Sequence, residues 1–92
     1  MIVWDERKRE ANLRKHGLDF RDAGVVYDNP AKATFSSPRG GEDRKLDVAI
    51  VEVVGRFLTL LYVHRGEDIR VISFRPSSRA ERKRYEQQKE SD

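Results

Sequence analysis

Apolar side chains are sparse at both ends of this chain and dense between residues 46 and 74, and the contrast separates helices from strands. Ile2-Val3-Trp4 is a short apolar stub that predicts a first strand. Asp5 follows as an N-cap, with Glu6 in the first turn, where the helix dipole favours an anion. Residues 6 to 16 read as a helix because Arg, Lys, Glu, Ala and Leu are good helix formers. Lys15 and His16 in the last turn, then Gly17, complete a C-terminal signature in which His16 reads as a cation at the negative dipole end. Ala11 and Leu13 are its only apolar residues, so most of this helix is expected to face water. Asp19 caps a second predicted helix, with Phe20, Ala23 and Val26 or Tyr27 as its buried stripe. Pro30 biases Asn29 away from helical angles and ends it.

Ala31 to Phe35 predicts a short strand, followed by a loop over Ser36 to Gly41. Leu46, Val48 and Ile50 then alternate with Asp47 and Ala49, before the phase shifts to Val51 and Val53 around Glu52. Such a shift predicts either a β-bulge or a strand covered on both faces. Phe57 to Val63 is almost continuously apolar, which suits a central strand buried on both sides. Arg65-Gly66-Glu67-Asp68 turns the chain into a last strand over Ile69 to Phe74. Short connections force antiparallel neighbours, hence a meander. Pro76 ends it, and Ser78-Arg79-Ala80-Glu81 matches a capping box for a closing helix from about Arg79 to Lys89. Apart from Ala80 and Tyr85 that helix lacks an apolar stripe, so weak docking is expected. The order β-α-α-β-β-β-β-α defines a single α+β domain over residues 1–92.

Composition sharpens this only when divided by position. The chain carries 19 Lys and Arg against 16 Asp and Glu, a net +3. Residues 75 to 85 hold Arg75, Arg79, Arg82, Lys83 and Arg84 against Glu81 alone, which is +4 in eleven residues. The other 81 residues hold 14 basic and 15 acidic side chains. The positive excess therefore sits where the last strand meets the last helix, with Arg70 in that strand and Arg65 in the preceding turn. Arginine's planar fork pairs two phosphate oxygens and keeps its proton at neutral pH, so this pattern predicts a phosphate-binding surface.

Other chemistry is poorly supported. There is no Cys, which excludes disulfides, thiol nucleophiles and thiolate metal sites. His16 and His64 are the only histidines. With no carboxylate cluster at ligand spacing, neither a metal nor any other cofactor is expected. No stretch approaches the ~18 apolar residues of a membrane span, and the N-terminus is no signal peptide, so a cytoplasmic protein without membrane association is expected. His64 ends the apolar strand beside Arg65, and histidine's ordinary pKa permits proton transfer near neutrality. Glu81 and Tyr85 lie one helical turn apart and share a face.

Trp4-Asp5-Glu6, Asn12-Leu13-Arg14-Lys15-His16-Gly17-Leu18 with Phe20 and Ala23, and Tyr27-Asp28-Asn29-Pro30 together resemble the N-terminal half of the BrnT family of type II toxins. Glu42-Asp43-Arg44, Arg65-Gly66, Arg70-Val71-Ile72-Ser73, Arg75, Ser78-Arg79, Glu81-Arg82 and Tyr85 resemble its C-terminal half, with departures at His64 and Phe74. The resemblance implies a RelE-like fold with a small antiparallel sheet, and a ribonuclease that shuts down translation. It implies an RNA substrate and a BrnA-type antitoxin that binds operator DNA, so that operator DNA is met only through the antitoxin. By the family's C-terminal motif, Arg70, Arg75, Arg79, Arg82 and Tyr85 form the candidate site, with Arg44 and Arg65 supporting. A metal-independent mechanism would have the ribose 2′-hydroxyl attack the adjacent phosphate. Arg70 and Arg75 would hold charge there, and Tyr85, His64 or Glu81 would assist proton transfer. The alternative is a binding module that uses the same basic surface, Arg44, Arg65, Arg79 and Arg82 included, without catalysis.

Overall fold

A computed structural model describes residues 1–51 and 55–91. Helix α1 (Glu6–His16) begins where Asp5, in an extended conformation, accepts hydrogen bonds from the Arg7 and Lys8 amides at 2.9 and 3.2 Å. It ends at Gly17, whose φ of 71° lets its N–H donate back to the Leu13 carbonyl at 2.8 Å. The second predicted helix is divided. Asp19 caps a 3₁₀ turn (Phe20–Asp22), and a single α-helical turn, α2 (Gly24–Tyr27), follows it. Gly24 and the β-branched Val25 and Val26 are weak helix formers, and Pro30 leaves no room to continue. Phe20, Ala23 and Val26 are nonetheless fully buried, as their spacing predicts.

Five strands form one sheet in the order β1-β5-β4-β3-β2, where β1 is Ile2–Val3, β2 Ala33–Ser36, β3 Arg44–Val51, β4 Arg56–Arg65 and β5 Asp68–Pro76. β2 to β5 are an antiparallel meander with the apolar β4 at its centre. The sheet is mixed, which corrects the antiparallel expectation, because β1 pairs parallel with β5 through Ile2 opposite Ile69 and Val3 opposite Arg70. The short-loop argument governs only strands adjacent in sequence, and these two strands are separated by more than sixty residues.

Of the two origins expected for the phase shift in β3, cover on both faces is the one found among the described residues. β3 runs in unbroken register against β4 from Arg44 opposite Val63 to Val51 opposite Arg56. Its apolar residues cover both faces: Leu46 and Val48 join one core cluster, Ala49 and Val51 the other. The part of the predicted shift at Glu52 and Val53 lies outside the described residues. The register break is in β5, where Leu61 faces Ser73 but Tyr62 faces Val71, leaving Ile72 as the extra residue.

The larger cluster, built around Phe20, Leu60, Val71 and Phe74, lies between the sheet and the N-terminal helices, with Trp4 packed against it. On the other face, α3 (Arg79–Ser91) buries Tyr85 against Ala33, Leu46 and Val48. Without an apolar stripe, α3 docks by cation–π stacking as well. The Arg82 and Arg84 guanidiniums lie 4.6 and 4.2 Å from the Phe57 and Phe35 ring centres.

Candidate functional site

Side chains alternate across a strand, so residues five apart normally point to opposite faces. The extra residue Ile72 reverses that for Arg70 and Arg75. Arg70 lies opposite Val63 and Arg75 opposite Thr59, and those two β4 residues share one face of the sheet. It is the face on which α3 sits, but α3 lies over β2 and β3 and leaves Arg70, Ser73 and Arg75 half-exposed. Arg44, opposite Val63 from the β3 side, extends the row across three strands. Val63 and Thr59 are four residues apart, ~13 Å at ~3.3 Å per residue.

The two ends of this row carry different arrangements. At one end Arg75 forms a two-pronged pair with Glu81, its Nη1 and Nη2 donating at 2.7 and 2.8 Å. The Ser78 amide donates to the same carboxylate at 2.8 Å while the Ser78 hydroxyl accepts from the Glu81 amide at 3.1 Å, the capping box that the sequence predicts. The Thr59 hydroxyl donates to Glu81 at 3.1 Å and is held by Ser77 at 2.7 Å. Desolvation pushes the Glu81 carboxyl up, but the hydrogen bonds from Arg75, Ser78 and Thr59 outweigh it and hold the group down at about 2. Glu81 is thus a fixed anion that orients Arg75. At the other end, Glu42 accepts from Arg44 Nε at 2.9 Å and from Arg65 Nη2 at 3.4 Å. The Arg44 hydrogen bond foremost, with the charges of Arg44, Arg65 and Arg70, holds the Glu42 carboxyl below its ordinary range. Glu42 therefore marks the convergence of three of the predicted arginines.

The remaining predicted residues lie elsewhere. His64 is exposed at the far end of β4, opposite Ile69, stacked edge-on against Tyr62 with ring centres 5.7 Å apart. By alternation it faces the side opposite Arg75. Tyr85 is buried, donates to the Ala31 carbonyl at 3.3 Å and packs edge-on against Phe57. Arg79 is exposed in the first turn of α3, and Arg82 is occupied by Phe57. The local basic excess is thus shared between a half-open row and the docking of α3.

Three positions outside the predicted site hold this frame. The Asn12 amide pairs with the backbone of Phe74 as a strand would, donating to its carbonyl at 2.7 Å and accepting from its N–H at 3.1 Å, and donates to the Leu18 carbonyl at 3.0 Å. A buried Asn is a poor helix former, and that mismatch was the available signal. Thr59 is signalled only as the one aliphatic hydroxyl inside an apolar run. His16 is half-buried where α1 meets β5, in a cleft of about 250 Å³ with Lys8, Lys15, Ile72 and Ser73. Desolvation, then the charges of Lys15 and Arg75, push its imidazole below the ordinary 6.5, so His16 is largely neutral at pH 7 rather than the predicted cation. Among the described residues, no three of His, Asp and Glu are grouped so as to hold a metal ion.

Arginines aligned on a half-open sheet face of a small α+β domain can pair with anionic groups. The chain belongs to the family of BrnT ribonuclease toxins of type II toxin–antitoxin systems, whose family model matches residues 4–81. Membership makes RNA its target and an antitoxin its partner. No curated protein matches the chain.

Proposed function

We propose that the half-open face of β4 and β5 is where this toxin binds and cuts RNA, by attack of a ribose 2′-hydroxyl on the adjacent phosphate without a metal ion. The observation that carries this reading is the alignment of Arg70 and Arg75 on one face by the extra residue in β5, with Arg44 and Arg65 beside Arg70. Arg75, oriented by Glu81, holds the reacting phosphate and meets the negative charge that grows on it, usually the largest contribution in such catalysis. Arg44, Arg65 and Arg70 hold the neighbouring backbone, and Arg79 guides the strand from the rim. Tyr85 and Arg82 support the face from the packing beneath α3. A carboxyl held at about 2 is a poor proton acceptor near neutrality, so Glu81 acts by positioning.

Cutting message in this way inhibits translation in the cytoplasm. A BrnA-like DNA-binding antitoxin would neutralise the toxin and bring it to operator DNA, and the fold's relatives would be RelE-like nucleases. The test is expression of wild type, Arg70→Ala and Arg75→Ala, with RNA cleavage scored on free and ribosome-bound RNA. Both variants should relieve growth arrest and lose at least tenfold in cleavage. Undiminished cleavage by folded variants would remove the site from this face. Salt-sensitive binding by wild type with no cut product would replace the nuclease with a binding module.

A further inference from the structure

We propose that His16 is the group that takes the proton from the attacking ribose 2′-hydroxyl, in the cleft where the last turn of α1 meets the free edge of β5. The inference rests on the reading of β5 as the RNA-cutting strand. The acid–base groups expected from the sequence are all committed elsewhere: Tyr85 to the Ala31 carbonyl, Glu81 to Arg75, and His64 to the far end of β4, five residues along from the Thr59 that faces Arg75.

The placement of His16 follows from Asn12. β1 pairs with β5 only at Ile69 and Arg70, which leaves the outer edge of Phe74 to the Asn12 amide. That amide fixes α1 against β5 at one point, and His16, four residues on, lies one turn further along the same helix face. It therefore sits at the strand edge next to Ser73, with which it lines the cleft, and within the field of Arg75. The charged groups facing it are Lys8 and Lys15 from α1 and Arg75 from β5, all cationic. Desolvation first, then the charges of Lys15 and Arg75, favour the unprotonated imidazole, ready to accept a proton, and the three cations draw in the phosphate whose ribose carries that proton.

In the step itself, the 2′-oxygen bonds to phosphorus as its proton passes to the unprotonated ring nitrogen of His16. The bond from phosphorus to the 5′-oxygen breaks, its electron pair going to that oxygen, which takes a proton from water. The resulting hydroxide recovers the proton from the imidazolium. The products are a 2′,3′-cyclic phosphate and a 5′-hydroxyl.

The experiment measures cleavage of one messenger RNA, free and on ribosomes, by wild type, His16→Gln and His16→Ala across pH 5 to 8. Wild type should lose rate as pH falls through a midpoint below ~6.5, the ordinary histidine value. Both variants should lose ~10²–10⁴-fold and that pH dependence, and added imidazole should restore part of the His16→Ala rate. A folded variant within threefold of wild type, with the same pH profile, overturns the proposal and leaves the nuclease reading intact. Wild type that cuts neither RNA overturns both. Should the variants fail to fold, an NMR titration of His16 in wild type decides. A bound 2′-deoxy-substituted oligonucleotide should move its titration midpoint, and an unmoved midpoint overturns the proposal.

Discussion

Asn12 shows how one side chain can set the position of two elements. Its amide replaces a missing strand at the edge of β5, so Asn12→Ala leaves the Phe74 N–H and carbonyl unpaired in a buried place. The expected loss is ~2–4 kcal/mol, or a fall in melting temperature of at least ~8 °C for a domain of this size. Thermal unfolding by circular dichroism measures it. Glu81 gives a prediction with a definite sign. Its folded-state pKa, about 2, is below the ordinary 4.5, so its contribution to stability is complete above pH ~4.5 and is lost as pH falls toward 2. The full contribution is on the order of 3 kcal/mol. Urea titrations should show stability falling over this window in wild type. In Glu81→Gln that part of the fall should be missing, with lower stability at pH 7. Tyr85 separates packing from chemistry. Tyr85→Phe removes one hydroxyl contact and should cost at most ~1 kcal/mol with RNA cleavage within about threefold of wild type. A large loss of cleavage from a stable Tyr85→Phe protein would return Tyr85 to the catalytic set.

At the scale of elements, what was legible in the sequence was what neighbouring residues decide. Asp5 and Gly17 bound α1, and Ser78 with Glu81 opens α3, because each cap is settled within a few residues of itself. The parallel pairing of β1 was not legible, since nothing near Ile2 and Val3 names a partner strand more than sixty residues away. The bulge in β5 left a trace in the adjacent apolar pair Val71-Ile72, and in two arginines at a spacing that a regular strand would split between faces. The same kind of phase change in β3 has another origin, since helices cover both of its faces. A buried polar hub links β2, β3 and β4. The fully buried Asp47 carboxylate meets Lys32 Nζ at 2.7 Å, the Thr34 hydroxyl at 2.6 Å and the Tyr62 hydroxyl at 3.1 Å. Asp47→Ala strips three partners at once and should destabilise by ~3–5 kcal/mol in urea titrations, whereas a surface-like loss below 1 kcal/mol would contradict this role.

Over the whole molecule, the net +3 hides two uses of positive charge. Arg82 and Arg84 stack on Phe57 and Phe35 and hold α3 where an apolar stripe would otherwise be needed. Arg44, Arg65, Arg70 and Arg75 share the half-open side of β3, β4 and β5, each set anchored by one glutamate. The segment count in the sequence located the strand–helix junction but could not tell these uses apart. Whether an arginine lies on the half-open face or against an aromatic ring depends on strand register and on where α3 lies. The most direct test of the proposed RNA-cutting face compares Arg75→Lys with Arg84→Ala for cleavage of the same RNA, each confirmed as folded by its melting curve. Arg75→Lys keeps the charge but loses the two-pronged geometry, and at least a tenfold loss is expected. Arg84→Ala, altered only under α3, should stay within about threefold of wild type. Equal loss in both, or none in Arg75→Lys, would contradict the assignment of this face as the site.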